Sequence, residues 1–64
     1  MDGPFKRAVK IDDQYVDITV YRKSKTVWEA VGTHHNKTYR STGRSMSQAE
    51  TAWVRQVKYH YHQN

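Results

Sequence analysis

The chain has no cysteine, so neither a disulfide framework nor a thiolate metal site is open to it. That absence suits a reducing compartment. Natural domains of this size often rely on such staples, because a chain of 64 residues buries only about 60% of the surface that it exposes when unfolded. One small apolar core must therefore hold the fold, and a homodimer is one way to add buried area. No run approaches the roughly 18 apolar residues of a membrane span, and the opening Met1-Asp2-Gly3-Pro4 has no apolar signal core. A cytoplasmic or nuclear, soluble domain is expected. One proline and three glycines are present, and no internal repeat or low-complexity segment appears.

Acidic residues are scarce as well. Eleven Lys and Arg stand against six Asp and Glu, a net charge of +5. Such a balance favours polyanionic partners, with nucleic acid first and an acidic protein or anionic membrane surface after it. The bland alternative is a basic surface that serves solubility only. The placement of the charge is informative. Lys6, Arg7 and Lys10 cancel Asp2, Asp12 and Asp13, and Arg55 and Lys58 exceed Glu50 by one charge. Residues 14–44 carry Arg22, Lys23, Lys25, Lys37, Arg40 and Arg44 against Asp17 and Glu29, which is +4.

Catalysis finds little footing, and the chain is not expected to be an enzyme. It has no Gly-rich phosphate loop, its serines suit caps and strands, and its one close acid pair, Asp12-Asp13, sits where a turn is the commoner role. The four histidines invite a metal reading. His60 and His62 point about 200° apart on a helix, however, and His34 and His35 are turn neighbours, with no Cys or acid to complete a zinc set. No metal and no cofactor are expected. Protonation of these histidines below pH ~6.5 would strengthen anion binding.

What is present is alternation. From Tyr15 to Tyr21, Val16, Ile18 and Val20 interleave with Tyr15, Asp17, Thr19 and Tyr21, the period of a strand. Arg22-Lys23-Ser24-Lys25 follows as a polar connection. Thr26 to Thr33 is a second strand, with Trp28, Ala30 and Gly32 assigned to the core near Val20 and Ile18; a one-residue slip would invert that assignment. His34-His35-Asn36-Lys37 is a turn, since Asn tolerates left-handed backbone. Thr38 to Thr42 is a polar third strand, read as an edge. After Gly43, Ser45 and Gln48 fit a capping box, with Ser47 and Glu50 as an alternative pair. Met46, Ala49, Ala52, Trp53, Val57 and His60 then share one helical face, which runs to about Tyr61, while Glu50, Thr51, Arg55, Lys58 and His62 lie elsewhere.

The expected fold is α+β: a three-stranded antiparallel sheet packed against one C-terminal helix, βββα, in a single small domain. Residues 1–14 read as a flexible N-terminal arm, in which Phe5, Ala8, Val9 and Ile11 offer a short edge strand as an alternative. Residues 15–61 form the domain and residues 62–64 a frayed C-terminus.

The run Ser45-Met46-Ser47-Gln48-Ala49-Glu50-Thr51-Ala52-Trp53, coming after three short strands, resembles the strand-to-helix passage of two DNA-binding families. These are the arm-binding domains of phage tyrosine integrases and the plant ethylene-response-factor domain. Both show a Thr or Ser cap, an acid or amide, Ala, and an aromatic on the helix face. The resemblance covers about residues 15–61 and implies a sheet that enters the major groove with the helix bracing its back. It places base-reading positions loosely at Arg22, Lys25, Arg40 and Arg44. The plant family's Arg-Gly-Val-Arg run has no counterpart here, and no recombinase domain is expected. Gly43-Arg44-Ser45 also resembles the strand-to-helix passage of double-stranded-RNA-binding domains, although their first helix has no counterpart and Met46 and Ser47 stand where they have a Lys pair.

The leading expectation is nucleic-acid binding, with duplex DNA favoured over RNA. The contacts are expected from Arg22, Lys23, Lys25, Lys37, Arg40 and Arg44, positioned by Tyr21 and Thr19, because arginine forks suit guanine edges and phosphates, and lysines suit phosphates. The rival is a small protein-interaction or self-associating module that uses a sheet edge or Val27 and Val31. A phage or mobile-element factor of other target is a third reading.

Overall fold

The computed structural model describes residues 4–61. Four strands, β1 (Phe5–Ile11), β2 (Gln14–Ser24), β3 (Val27–His34) and β4 (Lys37–Gly43), precede one helix, α1 (Met46–Tyr61). The strands form an antiparallel meander in sequence order, with α1 laid across one face, mainly over β4 and β3. The α+β class stands, but the sheet has four strands where three were expected.

The additional strand is β1. Phe5 to Ile11 pairs with β2 from Phe5–Val20 to Ile11–Gln14, so residues 5–11 are not an arm. Their alternation is masked because Arg7 occupies a helix-facing position between Phe5 and Val9. The position accepts a charge because Arg7 Nε lies 2.8 Å from Glu50 Oε2 on α1. Glu50 is therefore not an outward residue of the helix. Beyond Arg7, Val9 and Ile11 are buried and complete the core. Residues 1–3 of the expected arm and the expected frayed end, residues 62–64, lie outside the described residues.

Two tight turns join the outer strand pairs. Asp12 and Asp13 have φ of 48° and 70°, and His35 and Asn36 have 51° and 66°. Positive φ at both central residues matches the twist of two-residue hairpins, and Asn and Asp bear it at the lowest cost after glycine. At the opposite end β2 runs on to Ser24, through residues first read as connection, and pairs Ser24 with Val27. The register shifts between Arg22 and Ser24, which leaves Lys23 as a bulge and sets Trp28 opposite Arg22.

The core is the set that a period of two and a period of 3.6 bring face to face. Val9, Ile11, Ile18, Val20, Ala30 and Tyr39 come from the sheet, and Ala49, Trp53 and Val57 from the helix. Met46 and Val54 flank it, whereas His60, expected on this face, is exposed with its ring 5.7 Å from that of Tyr39. Trp53 is fully buried, and its indole donates to the Tyr39 carbonyl at 3.0 Å. Ser41 Oγ donates to Gln56 Oε1 at 2.6 Å. The helix starts as a modified capping box: the Gln48 amide donates to Ser45 Oγ at 3.2 Å, and the Gln48 side chain accepts from the Arg44 amide at 3.1 Å. Gly43 is required here, because a Cβ would lie 2.6 Å from the Ala49 nitrogen.

Candidate nucleic-acid interface

Alternation leaves the second sheet face without a covering element among the described residues. Lys6, Ala8 and Lys10 of β1, Tyr15, Asp17, Thr19 and Tyr21 of β2, Glu29, Val31 and Thr33 of β3, and Thr38, Arg40 and Thr42 of β4 share it, as the pairings Lys6–Thr19, Thr19–Val31 and Val31–Arg40 require. Thr19, Tyr21 and Arg40 thus sit together on this face, as the sequence suggested. Tyr15 is its most exposed aromatic.

The turns divide the remaining basic residues between the two ends of the sheet. The β2–β3 hairpin overhangs its neighbours: β1 pairs no further than Val20, and β4 no further than Trp28. Lys23, Lys25 and Arg22 crowd this tip around a shallow cleft of about 380 Å³, and Arg44 follows β4 at the same end. Lys37 does not join them. It begins β4 at the far end, with its ammonium 5.7 Å from the centre of the Tyr39 ring, six residues and about 20 Å from Gly43 at strand rise.

The tip residues differ in what they can offer. Arg22 folds over the turn, donating from Nε to the Ser24 carbonyl at 3.2 Å and from Nη2 to the Lys25 carbonyl at 3.1 Å. It therefore stiffens the hairpin more than it reaches outward. Lys25 and Arg44 are exposed, and neither is ion-paired within the described residues. On the helix side of this end the Phe5 and Trp28 rings meet at 6.2 Å.

Near the tip end of the open face, opposite Tyr21 and Thr42, lies a residue that sequence reasoning passed over. Glu29 is 4% exposed on a face with no layer above it. It accepts a hydrogen bond from the Tyr21 hydroxyl. Lys23 Nζ lies 3.7 Å from one of its oxygens and Arg40 Nη1 3.8 Å from the other. The Tyr21 hydrogen bond, helped by Lys23 and Arg40, holds the Glu29 carboxyl below the usual range in spite of its burial. The same bond, with burial and the nearby negative charge, pushes the Tyr21 phenol up. A phenol that already donates to Glu29 presents its ring and a lone pair, so donation from Tyr21 to a phosphate is not available in this arrangement. The legible signal was a lone acid in the middle of the apolar run Val27 to Val31. Lys6 and Lys10 were missed because β1 was read as an arm.

At the far end His34 is 8% exposed, with its ring 4.2 Å from that of His35 in an edge contact. Burial, then the neighbouring His35, lowers the His34 pKa, against an opposing pull from Asp12. Among the described residues no three His, Asp or Glu side chains converge as a metal site would require. No helix among them is long and apolar enough to cross a membrane.

Comparison with known proteins finds no matching family model, no matching curated protein and no matching solved structure.

Proposed function

We propose that this chain binds duplex DNA through the basic end of its sheet, with the β2–β3 tip as the leading element and the open face behind it. The observation that carries this reading is the convergence of Arg22, Lys23, Lys25 and Arg44 on the end where a two-stranded ribbon projects, with Arg40 behind them on the open face. A B-form major groove is about 12 Å wide and admits a two-stranded ribbon. Four strands spaced at about 4.8 Å span roughly 14 Å before side chains are added, so the whole face is too broad to enter. The deep, narrow major groove of A-form RNA excludes such a ribbon. Lys25 and Arg44 serve as phosphate contacts, Arg40 stays rooted on β4 at the groove margin and reaches in with its guanidinium near Glu29 of β3, and Arg22 keeps the tip rigid. Lys6 and Lys10 extend the positive face toward the flanking backbone. Lys37 is left out of this interface.

The test is a fluorescence-anisotropy titration with short duplex DNA, duplex RNA and single-stranded DNA across a salt series. Binding is expected to be tightest for duplex DNA, with log K falling about 0.9 per contacted phosphate per log unit of salt. The double substitution K25A/R44A is expected to make that slope shallower by about two contacts, and K37A to leave it unchanged. Absence of salt-sensitive binding at low ionic strength would refute the proposal. A self-associating module is the second reading. It is favoured by the outer edges of β1 and β4, which no further strand pairs among the described residues. Mass that rises with concentration in sedimentation, indifferent to DNA, would support it.

A further inference from the structure

Glu29 is hard to explain by stability alone. Replacing a buried ion pair with well-packed apolar groups is often neutral or stabilising, and a Val or Thr would suit a β3 position between Tyr21 and Thr42. For simple attraction of polyanions it is also the wrong sign, because it sets a negative charge beneath Lys23 and Arg40. What it does is geometric. One carboxylate on β3 receives the Tyr21 hydroxyl from β2, the Lys23 ammonium from the bulge, and the Arg40 guanidinium from β4. Three flexible side chains on two strands are thereby tied to a single rigid point. Arg40 Nη1 lies within ion-pair distance of Glu29, and the side chain remains 67% exposed, so the carboxylate biases where the guanidinium rests and leaves donors free for a ligand.

Resting on the duplex-DNA reading above, we infer that Glu29 is a positioning residue that turns Arg40 toward base edges and away from phosphates. A guanidinium backed by a carboxylate has little net charge to offer a phosphate, but it keeps the directional N–H pair that matches the O6 and N7 acceptors of guanine. Lys25 and Arg44, with no carboxylate beside them among the described residues, hold the backbone. The interface thereby separates its tasks, with cations that have no carboxylate beside them among the described residues for affinity and an arginine whose charge a shared carboxylate partly offsets for sequence. An unrestrained arginine in the same place would reach whichever phosphate lay nearest.

Two substitutions test this with opposite expectations for affinity and selectivity. Glu29→Gln keeps the shape and an acceptor for Tyr21 while removing one negative charge, which raises the net charge of the face by one. It is expected to tighten binding to random-sequence duplex severalfold and steepen the salt dependence. At the same time the preference for the best sequence, drawn from a random duplex pool by the wild-type protein, should fall about tenfold, the scale of one bidentate base contact. Tyr21→Phe removes the hydroxyl without changing charge. It should lower the same preference with no gain on random sequence. Thermal melts and amide NMR spectra of both variants report whether the fold is kept. A Glu29→Gln protein that selects the same sequence with undiminished preference would overturn the inference, as would a wild-type protein that binds duplexes without preference. A wild-type protein that binds no duplex at all would overturn the underlying reading, and the two failures are thus told apart.

Discussion

Gly32 lies against the Trp53 ring of the helix and the Ile18 side chain, and its replacement by alanine tests the packing directly. A Cβ at this position would stand 2.5 Å from Ile18 Cγ2 and 2.8 Å from Trp53 Cζ2. Comfortable carbon–carbon contact is about 3.5–4.0 Å, so the added methyl is short of room by about 1 Å on two sides. Neither neighbour can yield outward, because Ile18 is 2% exposed and Trp53 0%. Trp53 is pinned further by its bond to the Tyr39 carbonyl. Overpacking of this kind costs about 1–3 kcal/mol. The opposing effect is the smaller conformational freedom of alanine in the unfolded chain, which favours the variant by about 0.4–1 kcal/mol. The net loss is about 1–2 kcal/mol, against a total stability of roughly 3–10 kcal/mol for a chain of this length. In a domain this small each kcal/mol moves the midpoint by about 4–8 °C, so Gly32→Ala should melt roughly 5–15 °C lower by far-UV circular dichroism. The same substitution in an Ile18→Leu background, which lacks the Cγ2 methyl, should cost at least about 0.5 kcal/mol less. A Gly32→Ala protein that melts at or above the wild type would refute the close approach, since the unfolded-state effect would then be acting alone.

The far end of the sheet supplies two further predictions. His34 is kept neutral by burial and by His35, so as pH falls through the ordinary histidine range, about 6.5, the unfolded chain takes up this proton before the folded one. Its contribution is complete above that range and lost as pH falls toward the lower folded-state value. His34→Gln should therefore flatten the decline in melting temperature between about pH 7 and pH 5; an equal slope in the variant would place the acid sensitivity elsewhere. Asn36 has a φ of 66°, which glycine adopts freely. Asn36→Gly should thus leave stability unchanged or raise it by a few tenths of a kcal/mol, whereas a β-branched residue there should lower it by more than 1 kcal/mol. Urea unfolding midpoints decide between these outcomes, and a well-tolerated Asn36→Val would show that the turn is not of this type.

Much of the frame was legible because it rests on local periods. Val16, Ile18 and Val20 declare a strand by alternation alone, and Ser45 with Gln48 marks the start of a helix whose Ala49, Trp53 and Val57 recur at one face. Trp28, Ala30 and Gly32 fell on the correct side because a bulky residue and two small ones fit beneath a helix better than Glu29 does. The candidate site was read less completely. Thr19, Tyr21 and Arg40 follow from strand parity, and the sequence already puts Lys37 at a different turn from Lys25, but that those turns lie at opposite ends of the sheet, with Arg44 beside Lys25, follows from the antiparallel pairing. Arg22 looked like a free cation until its bonds to the Ser24 and Lys25 carbonyls were visible.

By itself the sequence determined the α+β class, the helix and its buried stripe, the His35-Asn36 turn and the basic character of residues 14–44. Each of these is a property of neighbours along the chain, where side-chain period, cap chemistry and tolerance of positive φ act over a few residues. Tertiary structure alone decided that residues 5–11 are a strand, that β2 runs through the Arg22-Lys23-Ser24 segment, and that Glu29 lies buried on an otherwise open face. Those features depend on partners remote in sequence. A helix-facing Arg7, half exposed, meets its counter-charge only because the helix brings Glu50 across the sheet. A buried Glu29 is acceptable only because two other strand segments bring Tyr21, Lys23 and Arg40 to its oxygens. A charge in a strand is read correctly only when its counter-charge is in view.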